Sequence, residues 1–293
     1  MIVETTGLTK RYGAHTALDN VDLAVPAGSV FGLVGPNGAG KTTLLGVLAG
    51  LRRPTAGTVR VGVERRLMAL LPDTPQFDPW LTGREVVALA ASLVAPDLPP
   101  ERVDEVLEQT GLAEAAGRRV GGYSRGMLQR LGLASTIVAE PRLLLLDEPA
   151  SALDPAGRRE VLDLITRLRG TATVILSSHI LGDVQEVCDS VAVLRAGRLL
   201  YQGPLAELLV GRAVPAYRIH LRPPVGPVAE ALRQHEWVSE VAGAGPDVLR
   251  ITVRSLRHAE EHLPAALGAA GARVVSFGPL APDLEDVFLE LTS

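Results

Sequence analysis

A glycine-rich run that ends in lysine and threonine carries the clearest chemical signal in this 293-residue chain. The run GPNGAGKT, residues 35–42, fits the pattern G-x-x-x-x-G-K-[ST] without a gap. Glycines let a backbone wrap around phosphate, its N–H groups face the anion, and the lysine reaches the β- and γ-phosphates. The threonine hydroxyl is a ligand for Mg²⁺. The run predicts a nucleotide-binding loop, but not which reaction follows. The candidate phosphate-binding residues are Gly35, Pro36, Asn37, Gly38, Ala39, Gly40, Lys41, Thr42 and Thr43.

Two adjacent carboxylates follow a second strongly apolar run. Leu143–Leu146 leads directly into Asp147, Glu148 and Pro149. Such a run is typical of a buried strand, and ligands bind at the carboxyl ends of strands in open α/β sheets. We expect Asp147 to hold Mg²⁺ by contacting one of the ligands of the ion, and Glu148 to orient and polarise an attacking water. A strand capped by solvated acidic residues is the structural alternative, and the upstream loop favours the catalytic interpretation.

The elements that must position these residues alternate between short apolar runs and longer helical patterns, which predicts an α/β fold. The apolar runs are typical of central strands in a sheet that is covered on both faces. The predicted central strands, besides Leu143–Leu146, are Val30–Val34, Val174–Leu176 and Val191–Leu194.

The region from about residue 81 to 139 has helical periodicity instead. Thr82 and Glu85 have the spacing of a capping box, so we expect a helix to begin there. We interpret this region as a helical subdomain inserted into the sheet domain.

The pattern restarts beyond a boundary near Gly211–Pro215, which divides the chain into domains of residues 1–212 and 215–293. Strands and helices alternate in the second domain, which predicts a small α+β domain with a ferredoxin-like arrangement as the candidate. The predicted strands are Tyr217–Leu221, Val248–Val253 and Arg273–Phe277, and the predicted helices are Val228–Leu232, His258–Leu267 and Asp283–Leu291.

Composition excludes several classes of protein. The formal net charge of −4 argues against a nucleic-acid partner, and the single Cys188 excludes an internal disulfide framework. The longest uncharged stretch, Leu23–Gly40, is broken by prolines and glycines, so no membrane span is predicted. No signal peptide is visible, and we expect a cytoplasmic protein. Lys10 and Lys41 are the only lysines among 29 basic residues.

Between the two motifs, the run Tyr123–Arg130 resembles the signature sequence of ABC ATPases, usually Leu-Ser-Gly-Gly-Gln. Ser124 and Gly126 match that sequence, whereas Tyr, Arg and Met replace the leucine, one glycine and the glutamine. A serine here can cap a helix N-terminus and offer its hydroxyl to a phosphate. In the family, this contact crosses a dimer interface onto ATP held by the other subunit.

Three further positions agree with the family in order and spacing, and a fourth departs from it. Asp154 lies in a segment that resembles the D-loop, and His179 matches the switch histidine that senses the γ-phosphate. Tyr12 matches the aromatic residue that stacks on adenine. Asp73 stands where the family usually has glutamine; it can reach Mg²⁺ or the water, and Gln76 is a weaker candidate.

The resemblance implies a P-loop ABC ATPase that uses ATP and Mg²⁺. The implied catalytic residues are Glu148, His179 and Lys41, and the implied metal residues are Thr42, Asp147 and Asp73. It also implies a head-to-tail homodimer that acts on separate integral membrane permease subunits at the cytoplasmic face of the membrane. The subgroup resembled is that of the ABC-2-type exporter ATPases, which favours export and leaves the cargo open.

Two alternatives come from other classes. One is a soluble ABC ATPase that acts in DNA repair or translation; such proteins usually carry tandem ATPase domains, coiled coils or zinc inserts, which this sequence lacks. The other is a non-hydrolytic, ATP-dependent interaction module, and the intact Asp147-Glu148 pair argues against it.

Overall fold

The computed structural model describes residues 1–212, 215–280 and 284–292. The chain forms two compact units, Met1–Glu207 and Leu208–Glu290, with the chain from Leu291 assigned to the first. This division falls a few residues before the expected boundary at Gly211–Pro215, inside a helix that begins at Leu205. Residues 213 and 214 of that boundary, Asp283 of the predicted last helix and Ser293 lie outside the described residues.

The first unit is built mainly from strands connected by helices. Its strands are β1 (Val3–Tyr12), β2 (His15–Val21), β3 (Ala24–Val25), β4 (Val30–Val34), β5 (Ala56–Val61), β6 (Met68–Leu71), β7 (Leu143–Asp147), β8 (Thr173–Ser178), β9 (Ser190–Arg195) and β10 (Arg198–Pro204). Its helices are α1 (Lys41–Leu48), α2 (Gly83–Val94), α3 (Glu101–Gln109), α4 (Arg125–Ile137), α5 (Pro155–Arg167) and α6 (Leu181–Val187), and α7 (Leu205–Arg212) crosses the division between the units.

The main sheet of this unit has six strands in the order β10-β9-β4-β8-β7-β6. All neighbours are parallel except β9 and β10, which form an antiparallel edge. Every residue of β4, β7 and β8 is buried, as their continuous apolar sequences predict for central strands. The parallel order brings the carboxyl ends of β4, β8, β7 and β6 to one edge of the sheet.

A smaller antiparallel sheet joins β2, β1 and β3, and β5 pairs with β1 on its other side. One apolar cluster connects this sheet with α1 and the main sheet; it includes Leu8, Phe31, Leu44 and Leu145. Helix α1 begins at Lys41 and has only eight residues, too few for a helix that is stable alone. The packing of its apolar residues in this cluster therefore stabilises it.

The segment between β6 and β7 is helical. Helix α2 packs against both α3 and α4. The predicted capping box is present: the Thr82 hydroxyl accepts a hydrogen bond from Glu85 N at 3.2 Å, and the Glu85 carboxylate accepts one from Thr82 N at 2.8 Å. Each bond satisfies a backbone donor that the first helical turn leaves unpaired.

The second unit contains β11 (Ala216–Arg222), α8 (Gly226–Arg233), β12 (Val238–Gly245), β13 (Val248–Val253), α9 (Leu256–Ala269) and β14 (Arg273–Pro279), followed by α10 (Leu284–Thr292). The antiparallel sheet has the order β12-β13-β11-β14, and its apolar side packs on α8 and α9. The succession βαββαβ with this order is the ferredoxin-like arrangement. Strand β12 was not predicted, because it is an edge strand whose alanine and glycine residues hide the alternation.

Within the described ranges, no helix combines the length and apolar character that crossing a membrane requires.

Candidate active site

The glycine-rich loop connects β4 to α1, so its backbone N–H groups lie at the start of a helix. Gly40, the residue before α1, has a φ of 107°, and a Cβ atom there would lie 2.6 Å from the Ala17 carbonyl oxygen. A Cβ atom on Gly35 would lie 2.3 Å from the Leu194 carbonyl oxygen. Only glycine fits both positions, because one needs a left-handed backbone and both are closed by neighbouring backbone.

Lys41 is buried, and its side chain lies against its own loop. Its ammonium donates to the carbonyl oxygens of Gly35 at 2.7 Å and Pro36 at 3.4 Å. The same Nζ lies 3.8 Å from Oε1 of Glu148. The only positive charge of the loop is therefore already oriented toward the residue predicted to activate water.

The two adjacent carboxylates stand at the end of β7. The apolar run predicts a strand that ends at Leu146, whereas in the structure β7 continues through Asp147, which pairs with Ser177 of β8. Asp147 is 2% exposed, and its Oδ1 accepts a hydrogen bond from the Ser177 hydroxyl at 2.5 Å. Glu148 leaves the strand with a φ of 50°, a left-handed conformation that is uncommon for a residue with a long side chain.

His179 lies directly beside Glu148. Its Nδ1 atom is 2.8 Å from Oε2 of Glu148, and its backbone N–H donates to the same oxygen at 3.3 Å. The two oxygens of the Glu148 carboxylate thus face different partners, since Oε1 faces Lys41. A carboxylate held in this way, at the edge of a cleft, is placed to accept a proton from water.

An open cleft lies at this edge of the sheet and collects most of the predicted residues. Its lining comprises His15, Ala17, Asn37, Gly38, Ala39, Gly40, Lys41, Thr42, Thr43, Asp73, Asp147 and Glu148. Asp73 follows β6, at the carboxyl end of the strand next to β7, so the parallel sheet order explains its presence. Gly35 and Pro36 belong to the loop but do not line the cleft. His179 does not line it either, but contacts the lining residue Glu148.

Tyr12 lies near the cleft without lining it. It pairs with His15 across the β1–β2 hairpin, and its ring is 45% exposed. The ammonium of Lys10 lies 4.7 Å from the ring centroid, so one cation already covers one face of the ring.

The predicted signature and D-loop residues form a second group, away from the cleft lining. The Ser124 hydroxyl caps α4 by accepting from Met127 N at 3.2 Å, and Asp154 caps α5 by accepting from Gly157 N at 3.0 Å. The first turn of α4 packs against the segment before α5. The approach is close enough that a Cβ atom on Gly126 would lie 3.3 Å from Leu153 Cδ2. The two helix N-termini are therefore neighbours.

Tyr123, the residue before Ser124, anchors this second group. Burial raises the pKa of its phenol, which the nearby Arg118 opposes only in part. The protonated hydroxyl donates to the Ala115 carbonyl oxygen at 2.7 Å. A tyrosine in place of the usual leucine thus adds a hydrogen bond between the signature segment and the chain before it.

The donor set of the cleft fits a magnesium ion that arrives with a nucleotide. Within the described parts of the chain, no group of three or more His, Cys, Asp or Glu side chains could hold a metal ion. Thr42, Asp73 and Asp147 nevertheless line the same cleft. Their hard oxygen atoms suit Mg²⁺, which proteins commonly hold with one or two carboxylates and the phosphates of the substrate.

Two residues of the site were not predicted from the sequence, Ser177 and His15. Ser177 contacts both acidic residues. It could have been predicted only from the parallel pairing that places it opposite Asp147. His15 lines the cleft from the turn of the β1–β2 hairpin. Neither position belongs to a contiguous motif, so only the folded arrangement identifies them.

Comparison with known proteins agrees with this geometry. Residues 18–151 match the family model of the ABC transporter. The chain is 37% identical to YxlF, an uncharacterized ABC transporter ATP-binding protein of Bacillus subtilis (strain 168), over 97% of each chain. It is 34% identical to the daunorubicin resistance ATP-binding protein DrrA3 of Streptomyces coeruleorubidus, over 99% of this chain and 95% of the relative.

A solved structure extends the likeness to the fold. The ATP-binding subunit of an ABC transporter superposes with a TM-score of 0.66 and 28% identity, over 72% of this chain and 93% of that one. The chain belongs to the ABC transporter ATP-binding proteins and is an ATPase of that family.

Proposed function

We propose that this chain hydrolyses MgATP in the cleft between the glycine-rich loop and the carboxyl ends of β6 and β7, with Glu148 as the residue that activates water. The observation that carries this proposal is the position of the Glu148 carboxylate, between the Lys41 ammonium and the His179 ring. A base must lie within hydrogen-bonding reach of the water and close to the phosphate that the water attacks. Both requirements are compatible with a carboxylate that lines the same cleft as the loop.

The other cleft residues take roles that their chemistry supports. The N–H groups of the loop and the Lys41 ammonium hold the phosphates, and the Thr42 hydroxyl, Asp147 and Asp73 hold Mg²⁺. The ion, when bound, neutralises charge that develops on the β- and γ-phosphates. His179 holds Glu148 in position and contacts the γ-phosphate. Tyr12 stacks on the adenine with the face of its ring that Lys10 leaves open.

We further propose that two copies of the chain bind two ATP molecules in a head-to-tail homodimer. Ser124, Gly126 and Asp154 support this, because they lie outside the cleft lining yet belong to adjacent helix N-termini, where N–H groups attract anions. The Ser124 hydroxyl of one copy would contact ATP held by the other copy. ATP would then join the subunits, and hydrolysis would release them.

We propose that this cycle drives separate integral membrane permease subunits, which the chain contacts at the cytoplasmic face of the cell membrane. The similarity to YxlF, which is named as an ABC transporter ATP-binding protein and matches over 97% of both chains, supports this partner. The drug-resistance name of one relative favours export over import. No nucleic-acid partner is proposed, in keeping with the net charge of −4.

Two measurements test the proposal. Full-length chain with an affinity tag, purified from membranes in mild detergent, should retain a multi-spanning membrane protein, and the complex should release phosphate from ATP only with Mg²⁺. Recovery with ribosomes or DNA-repair proteins instead would reject the transport function. Nucleotide binding without any phosphate release, in the presence of the partner, would reject the hydrolytic role of the cleft.

A further inference from the structure

The geometry assigns Ser177 as a positioning residue that sets both acidic residues of the hydrolytic site with one hydroxyl group. This inference rests on the roles proposed above for Asp147 and Glu148. Ser177 does not line the cleft, so it acts through its two neighbours and not on the nucleotide.

The hydroxyl of Ser177 both donates and accepts a hydrogen bond. It donates to Oδ1 of Asp147 at 2.5 Å and accepts from the backbone N–H of Glu148 at 3.0 Å. A serine hydroxyl has one proton to donate, so the bond to Asp147 fixes its orientation and leaves a lone pair for Glu148. Ser177 is 0% exposed, so water does not compete for either bond.

The sheet register delivers the hydroxyl to this place. Ser177 pairs with Asp147 in the parallel ladder between β8 and β7, and both strands are internal to the sheet. The bond holds one carboxylate oxygen of Asp147 toward the neighbouring strand, while Asp147 also lines the cleft. The rotamer of the proposed magnesium residue is therefore fixed by a strand that carries no part of the phosphate loop.

The same hydroxyl supports the unusual backbone of Glu148. Glu148 adopts a φ of 50°, and its N–H donates to the Ser177 carbonyl oxygen at 3.2 Å as well as to the hydroxyl. A left-handed glutamate is unfavourable unless its surroundings hold it. Successive residues of a strand face opposite sides, so this turn is what brings the Glu148 carboxylate to the same cleft as Asp147.

The test compares variants of the full-length chain. Ser177→Ala removes both hydrogen bonds, Ser177→Thr keeps the hydroxyl, and Ser177→Cys keeps the size with a weaker donor. Thr173→Val is the matched control, because Thr173 is a buried hydroxyl on the same strand whose Oγ1 accepts from Gly28 N at 2.8 Å, at the end opposite the site. The readouts are kcat and KM for ATP, the Mg²⁺ concentration at half-maximal rate, and binding of a fluorescent ATP analogue with and without Mg²⁺.

We expect Ser177→Ala to lower kcat about 10- to 100-fold and to raise the required Mg²⁺ concentration by a similar order, as loss of an outer partner does at other metal sites. Binding of the analogue without Mg²⁺ and KM should stay at the wild-type values, because the loop is intact. Ser177→Thr should restore the rate, Ser177→Cys should lie between, and Thr173→Val should lower only thermal stability.

Three results would overturn the inference. They are a wild-type rate in Ser177→Ala, an equal loss of rate in Thr173→Val, and a Mg²⁺ requirement that does not change. If Ser177→Ala does not fold, the comparison of Ser177→Cys with Ser177→Thr decides, since equal rates there reject the role of the hydroxyl. A wild-type chain without Mg²⁺-dependent hydrolysis would instead reject the proposed function on which the inference rests.

Discussion

Nδ1 of His179 lies 2.8 Å from Oε2 of Glu148, although the two residues are 31 positions apart. They meet because β7 and β8 are parallel neighbours, so the residues that follow them emerge at the same edge of the sheet. The contact joins the residue proposed to activate water with the residue proposed to sense the γ-phosphate.

Glu148→Gln should slow ATP hydrolysis about 10²- to 10⁴-fold, because an amide of the same shape cannot accept the proton of water. ATP binding should be retained, and the ATP-bound dimer should accumulate. Phosphate release and size-exclusion chromatography with ATP would measure both effects. Glu64→Gln, which changes an exposed glutamate that does not line the cleft, is the control. Near-wild-type turnover in Glu148→Gln would reject its role as the base.

His179→Ala should lower kcat about 10- to 100-fold while the affinity for ATP falls much less, since the imidazole positions Glu148 and makes only one of the several proposed phosphate contacts. His179→Asn places an amide near the former Nδ1 and should recover part of the rate. Single-turnover hydrolysis at saturating ATP is the appropriate measurement. A change confined to the dissociation constant would contradict this assignment.

Lys41→Ala should weaken ATP binding by one to two orders of magnitude, in line with about 1.5–3 kcal/mol for a hydrogen bond to a charged group. Lys41→Arg should bind ATP with intermediate affinity, because a planar guanidinium fits the loop less well than a compact ammonium. Titration of ATP by calorimetry would separate the three chains. Equal affinities would show that the ammonium stays on the carbonyl oxygens of Gly35 and Pro36 when ATP binds.

Thr82→Ala should reduce the free energy of unfolding by about 1 kcal/mol through loss of the side-chain cap of α2. Ser92→Ala on the same helix removes an exposed hydroxyl that donates to Leu89 O, and it should be nearly neutral. Urea unfolding at pH 7 would measure both. A smaller loss in Thr82→Ala than in Ser92→Ala would contradict the capping role.

The capping box should also make stability depend on pH. The backbone N–H and then the hydroxyl of Thr82 hold the pKa of Glu85 below its usual value. A lowered folded-state pKa means that this contribution is present above the unfolded-state pKa and is lost as the pH falls through the folded-state pKa. Glu85→Gln should therefore flatten the acid side of the stability profile, and an unchanged profile would reject this contribution.

Cys188 should react slowly with a thiol reagent in the native protein. Burial, with a smaller effect from the neighbouring Asp189, raises the pKa of its thiol strongly, so little thiolate exists at neutral pH. The side chain also packs against Gly32, where an added Cβ atom would lie 3.0 Å from Sγ. Reaction with dithionitrobenzoate should be fast only after unfolding. A fast reaction of the native chain would show that the packing of the end of α6 against β4 opens.

The parts of the site that are contiguous in sequence were predictable, and the parts that depend on strand order were not. The loop, the acidic pair and the cap at Thr82 each follow from a few adjacent residues. Ser177 and His15 reach the site through a parallel register and a hairpin, which no short pattern encodes. Asp73 lies between these cases, because the family resemblance indicated it as a site residue, whereas its place beside the end of β7 follows from the order of the strands.

In the second unit, the strand at the edge of the sheet was the element that the sequence did not predict. Three of its strands were predicted, and two of them, β11 and β13, contribute Ile219, Leu249 and Ile251 to its core. Strand β12 pairs with β13 on one side only and contributes Val241, so most of its residues carry no burial signal. The ferredoxin-like order of the sheet appears only when β12 is included.

The scarcity of lysine makes the proposed site unusually accessible to spectroscopy. Of the chain's two lysines, Lys10 lies 4.7 Å from the ring centroid of Tyr12, and Lys41 donates to Gly35 O at 2.7 Å. Selective isotope labelling of lysine would thus give two side-chain signals in a nuclear magnetic resonance spectrum. One signal would report on the proposed adenine end of the nucleotide and the other on its phosphates, so a single titration could resolve the order in which the two ends engage.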